Sequence, residues 1–104
     1  MAQPMAQRDP AHVDSAHYKV EFENDRIRVL RVRYGPHEKS VMHSHPASVG
    51  VFLTDGDLKF NYPNGTTEEV HVKAGQTQWY PALVHLPENL SDKPFEVIVT
   101  ELLS

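Results

Sequence analysis

Cysteine is absent from the 104-residue chain, which removes disulfides, thiolate zinc sites and thiol nucleophiles together. Any metal ion has to be held by histidine or carboxylate side chains. No apolar run approaches the roughly 20 residues that cross a bilayer as a helix, and the stretch from Met1 to His17 lacks the basic start and apolar middle of a secretion signal. These absences predict a cytoplasmic protein with no membrane partner. Positive charge is also scarce. Ten Lys and Arg against 14 Asp and Glu leave a formal charge of −4, the wrong balance for the clustered phosphate contacts that nucleic acid requires. The partner predicted by this composition is a small molecule.

Hydrophobic residues make up 39% and charged residues 23%, ordinary usage for a globular domain, and the length suffices for one hydrophobic core but not two. Residues 1–17 carry Pro4 and Pro10 among small and polar side chains without a steady period. They are expected to form a flexible N-terminal tail or loosely docked arm, with the folded domain over 18–104. From Tyr18 onward the sequence breaks into short β-rich runs at 18–23, 26–34, 48–54, 58–62, 67–73, 77–80 and 95–102. Turn residues separate them: Asn24-Asp25, Gly35-Pro36, Asp55-Gly56, Pro63-Asn64-Gly65, Ala74-Gly75 and Ser91-Asp92-Lys93-Pro94. Asp55-Gly56 reads as the clearest hairpin turn. Short strands at even spacing with no helices between them predict an all-β fold, a small antiparallel β-barrel, because one open sheet of this size would leave an apolar face in water.

Successive side chains on a strand point to opposite sides. On that basis Val49, Val51 and Leu53 share an apolar face expected to line the interior, and Phe52 falls on the other. Gln78 and Tyr80 share one face of their strand and are further candidates for a substrate pocket; Trp79, between them, is expected in the core. Phe52 and Ile98 place apolar surface on the outside of the barrel, which predicts a homodimer.

His43 and His45 are one residue apart, so on an extended strand both imidazoles point the same way and can reach one ion at roughly 2.0–2.2 Å. The spacing by itself is equally that of two solvated or hydrogen-bonded histidines. His37 and Glu38 read as a solvated turn, His71 as a water-facing strand residue, and Met42 as packing. Glu88 and Asn89 either orient a nearby histidine or cap a loop.

Residues 34–56 and 75–89 resemble the two sequence motifs of the cupin family of small β-barrels. His43 and His45 occupy the His-x-His pair of the first motif and Gly56 its final glycine; Gly75, Pro81, His85 and Asn89 follow the second. The resemblance implies a cupin jelly roll in which His85 is the third metal ligand. The chain departs from the pattern at His37, where a glycine is usual, at Leu83, in place of an inner glycine, and at Val49, which stands where the family has a glutamate ligand.

A site of two histidines and one carboxylate around Fe(II) carries a charge of +1, whereas three neutral imidazoles leave +2. Such a site is expected to favour an anionic chelating substrate. Some three-histidine cupins, the acetylacetone-cleaving dioxygenases, split β-dicarbonyl compounds with non-haem Fe(II) and O2. The resemblance therefore implies a dioxygenase with His43, His45 and His85 as its metal and catalytic residues. Two alternatives remain: a barrel that binds metal or a small ligand without turnover, and a Zn-dependent hydrolase or hydratase using a metal-activated water. Ni, Mn and Cu are further metals such a site could take, since imidazole ligands follow the general affinity order of divalent ions. Because histidine coordinates only when neutral, occupancy is expected to fall as pH drops well below an unperturbed imidazole pKa of about 6.5.

Overall fold

The computed structural model describes residues 8–103. One helical turn, α1 (Pro10–Val13), precedes β1 (Tyr18–Glu23), β2 (Ile27–Tyr34), β3 (His43–His45), β4 (Ser48–Phe52), β5 (Gly56–Asn61), β6 (Thr67–Val72), β7 (Thr77–Tyr80), β8 (Leu83–Asn89) and β9 (Phe95–Leu102). The strands form a five-stranded sheet in the order β1-β2-β9-β4-β7 and a four-stranded sheet in the order β3-β8-β5-β6, with antiparallel pairing throughout. This is the all-β antiparallel barrel that the alternation predicts.

The core comes from one face of each sheet. Leu30, Val32 and Tyr34 of β2, Phe95 and Val97 of β9, Phe52 of β4, and Leu58 and Phe60 of β5 are all buried. Each buried Val, Leu or Phe contributes about 1.5–3 kcal/mol, so the alternating face of β2 and β9 fixes their register: a slip of one residue would turn that face into water.

Several expectations are corrected. β3 and β8 were not among the predicted strands, since His-Ser-His and a proline-containing segment have little β propensity; they form because they pair with each other, His43 opposite His85. Asp55-Gly56 is not a hairpin turn. β4 pairs with β7 and β9 while β5 pairs with β6 and β8, so this step carries the chain from one sheet to the other. Positive-φ glycines lie instead at Gly65 and Gly75 (φ 87° each), in the turns between β5 and β6 and between β6 and β7. Part of the expected tail is packed as well. Asp9 caps α1 by accepting from the Ala11 amide at 3.0 Å, and Pro10 is buried; residues 1–7 lie outside the described residues.

The parity of β4 is the reverse of that expected. Ser48, Gly50 and Phe52 face inward, whereas Val51 and Leu53 are 37% and 43% exposed and Val49 lies on the same outer side. Phe52 is therefore a core residue and cannot supply the outer apolar surface assigned to it. Trp79, expected in the core, is 53% exposed. Phe22, Val29, Thr100, Val49 and Trp79 are successive cross-strand partners and form one row across the outside of the five-stranded sheet.

Gly56 begins β5 against the core, and a Cβ there would meet the Phe95 ring at 2.6 Å. Gly56→Ala is expected to destabilise the barrel by about 1–3 kcal/mol through overpacking, read as a lower urea midpoint with an unchanged slope.

Candidate metal centre

β3 places His43 and His45 on one face, and antiparallel pairing sets His85 of β8 directly opposite His43. The three rings stand edge to face, with centroids 4.8 Å (His43–His45), 4.9 Å (His43–His85) and 5.3 Å (His45–His85) apart. One nitrogen from each lies within 4.8 Å of the others, and all three residues are buried. Burial lowers the His43 pKa to about 3, reinforced by repulsion from His45; burial, then repulsion from His43 and His45, lowers that of His85 to about 2. Both rings are neutral at physiological pH.

A neutral imidazole has one N–H donor and one bare nitrogen, and the surroundings decide which is which. The His43 Nδ1–H donates to the Val41 carbonyl at 2.8 Å, and the His45 Nδ1–H donates to Glu101 Oε2 at 2.6 Å. That leaves the two Nε2 atoms facing inward, 3.1 Å apart. A cation held between them would satisfy both nitrogens. A proton could bridge this pair, but His85 has no hydrogen-bond partner at either ring nitrogen. A single divalent ion would satisfy all three rings, so these residues fit a metal; three imidazole nitrogens suit Fe, Zn, Ni or Cu.

Glu101 is wholly buried. Its Oε1 accepts from Arg28 Nε at 2.9 Å and Nη2 at 2.7 Å, and Arg28 Nη2 also reaches Asp9 Oδ1 at 2.7 Å. On the other side, Ser40 Oγ lies 3.2 Å from His43 Nδ1 and donates to Asp14 Oδ2 at 2.6 Å. The Tyr18 hydroxyl lies 3.2 Å from His43 Nε2 and shares a short hydrogen bond with Tyr34. Burial raises the pKa of both phenols, so both stay protonated.

His45 and His85 also form one wall of a cavity of about 50 Å³, otherwise lined mainly by apolar side chains, including Phe52, Leu58, Phe60 and Val97. At roughly 10–15 Å³ for each water-sized group, it admits only a small ligand. Of the residues expected to line the pocket, Tyr80 does so; Val49, Val51, Leu53 and Gln78 do not, and Ser48 and Gly50 take the inward positions on β4. The small side chains leave the space that larger ones would fill.

The remaining candidates resolve individually. Glu38 accepts from the Gly35 amide at 2.6 Å and from His17 and is no ligand. Asn89 caps the following loop, donating to the Gly35 and Lys93 carbonyls and accepting from the Ser91 amide; it does not orient His85. His71 is exposed beside Asp57, as expected. Sequence reasoning missed Glu101, Arg28, Asp9, Asp14, Ser40 and Tyr18. Glu101 left one trace: it continues the inward face of Phe95, Val97 and Val99, where a carboxylate has no packing reason to be.

The neutral histidines also bear on pH dependence. In the folded protein His43 and His85 resist protonation far below 6.5. In the metal-free protein their depressed pKa values make the unfolded chain bind more protons as pH falls below about 6.5. Stability is full above that value and declines by about 1.4 kcal/mol per pH unit for each ring down towards their folded values of about 3 and 2. Urea midpoints of metal-free protein are expected to fall steadily between pH 7 and pH 4; a flat profile would mean the rings are not buried as neutral bases.

The sequence pattern describing the cupin domain matches residues 30–101. Among solved structures, a cupin domain from Bordetella pertussis Tohama I shares 26% identity over 84% of this chain and 92% of its own, with a TM-score of 0.78. An RmlC-like cupin with a double-stranded β-helix fold from Methanocaldococcus jannaschii shares 15% identity over 86% and 83% of the two chains, with a TM-score of 0.63. An oxalate oxidase in complex with the substrate analogue glycolate shares 19% over 75% of this chain and 43% of its own, with a TM-score of 0.57; these last two show likeness of fold. Comparison with curated sequences gives no match.

Proposed function

This chain belongs to the cupin family, and from that premise we propose that it is a non-haem Fe(II) dioxygenase that takes a small anionic oxygen chelate, such as a β-dicarbonyl, with O2. The observation that carries this reading is the convergence of the His43 and His45 Nε2 atoms at 3.1 Å beside a buried His85 that has no hydrogen-bond partner among the described residues, at the wall of a small apolar cavity. When bound, Fe(II) supplies open coordination positions for a chelate and the electrons that O2 chemistry needs. His43, His45 and His85 hold it. The cavity excludes water and sorts ligands by size, admitting a compact molecule with a polar head towards His45 and His85 and apolar groups towards Phe52 and Phe60. The Tyr18 hydroxyl, 3.2 Å from His43 Nε2, is a hydrogen-bond donor positioned beside the same centre.

The charge balance refines the substrate argument. Val49 contributes no carboxylate, but Asp9, Arg28 and Glu101 together carry a net charge of −1 just behind His45. With a divalent ion the centre is +1 rather than +2, which still favours a singly charged anion and weakens the case for a more highly charged one.

The test is elemental analysis of untagged protein after Fe(II) reconstitution, beside His43→Ala, His45→Ala and His85→Ala, followed by oxygen consumption on a panel of small β-dicarbonyls. Near-stoichiometric metal lost in each variant, and oxygen uptake lost with it, is the expected result. Bound metal with no uptake across the panel would favour a non-catalytic binding barrel, and absence of metal would remove the enzyme reading altogether.

We further propose that a second copy of the chain covers the outer row of Phe22, Val29, Thr100, Val49 and Trp79, because apolar side chains occupy four of its five positions across the sheet. Between them Phe22 and Trp79 are each more than half exposed. Sedimentation at micromolar concentration is expected to show a dimer that Trp79→Glu converts to monomer; a monomeric unmodified protein overturns this.

A further inference from the structure

The two β3 histidines are backed by different chains of polar groups, and both chains end on one short stretch of the sequence. From His45 Nδ1 the path runs through Glu101 and Arg28 to Asp9. The His43 Nδ1–H, given to the Val41 carbonyl at 2.8 Å, is also met at 3.2 Å by Ser40 Oγ, which donates to Asp14. Asp9 and Asp14 bracket α1: the Asp9 carbonyl accepts from the His12 and Val13 amides, and the Asp14 amide donates to the Pro10 carbonyl at 2.8 Å. The stretch is fastened further by His17, which bonds Asp14 at 2.9 Å and Glu38 at 3.1 Å, and by Pro10, which is buried.

We propose that residues 9–17 are an outer clamp on the metal centre, positioning His43 through Ser40 and Asp14 and His45 through Glu101, Arg28 and Asp9, so that docking of this segment and metal binding strengthen each other. The proposal rests on the three-histidine metal reading. Its physical basis is that an imidazole bound through Nε2 is held in tautomer and orientation by whatever accepts its Nδ1–H, and the loss of such partners typically weakens metal binding 10–100-fold. Glu101 can perform that task only while its own charge is held, since an unpaired buried carboxylate is costly. Arg28 supplies the counter-charge and is itself kept in place by Asp9. A buried ionic chain of this kind is seldom retained for stability alone, because apolar residues of similar volume often stabilise as well. The Nδ1–H of a ring whose other nitrogen binds a cation is a stronger donor, so metal tightens the bond to Glu101 and, through Arg28, the hold on Asp9. The coupling must be reciprocal: the factor by which the docked segment raises metal affinity is the factor by which metal raises docking.

The experiment uses the full chain with Zn2+ as probe. Calorimetric titration compares the unmodified protein with Asp9→Asn and Asp14→Asn, and amide hydrogen exchange over residues 9–17 is followed with and without Zn2+, the β5–β6 turn at 62–66 serving as a control. Expected are about tenfold weaker Zn2+ binding in Asp9→Asn and a smaller loss in Asp14→Asn, where the Val41 carbonyl still accepts the His43 Nδ1–H, with a rise in protection on adding Zn2+ that is confined to 9–17 and absent from the control turn. The visible spectrum of the Co2+ form should also change in Glu101→Gln, which a merely structural role would not produce. If Zn2+ fails to bind the unmodified protein, the metal reading itself falls. If Zn2+ binds but exchange over 9–17 is unchanged, the clamp is overturned while the metal centre stands, and that measurement decides even if a variant does not fold.

Discussion

The constraint behind the rest of the structure is that an imbalance of charge cannot be left in the middle of a barrel. Three imidazoles sit where water barely reaches, and desolvation keeps at least His43 and His85 neutral. A neutral imidazole must still place one donor and one acceptor. The donors of His43 and His45 turn outward to Val41 and Glu101, which forces the acceptors inward and together. A carboxylate recruited to take the His45 proton then needs a cation of its own, which brings in Arg28, and Arg28 has a further face that Asp9 completes. The docked N-terminal turn is in this sense the last term of a series that begins with two histidines on one strand.

The cavity obeys a second constraint, one of volume. On β4 the inward positions are Ser48, Gly50 and Phe52, and a Cβ on Gly50 would already stand 3.6–3.9 Å from Val97, Tyr80 and Phe52. Larger residues there would close the space beside His45 and His85. The bulky Val49, Val51 and Leu53 are consequently carried on the outside, where Val49 stands opposite Trp79. Making room for a ligand inside and exposing apolar surface outside are two consequences of the same assignment of faces.

This explains what could be read from the sequence and what could not. The strands of the two sheets were legible wherever β-branched and aromatic residues alternate with polar ones, as in β2 and β9, because there burial and propensity agree. They were not legible in β3 and β8, whose pairing is imposed by their neighbours. The faces of β4 were misread because the rule that the more apolar face is the inner one fails where a cavity must be kept open. His43 and His45 announced themselves by spacing, and His85 by its motif. Asp9 and Asp14 gave no local signal, since their role exists only once β2, β9 and the loop before β3 are brought together, at separations of up to 73 residues.

The location of the negative charge has a chemical consequence. A carboxylate bound directly to a metal adds charge but occupies a coordination position. Here Val49 points away from the three histidines and Glu101 stands behind His45, so the charge of Glu101 would act on an ion held there through the imidazole, without Glu101 itself being a ligand. Arg28 limits how strongly that charge is felt, because it shares Glu101 with the ring at 2.7 Å. A divalent ion held by the three histidines would therefore be less positive than three imidazoles alone would leave it, and on the proposed reading that charge would be matched by a singly charged anion.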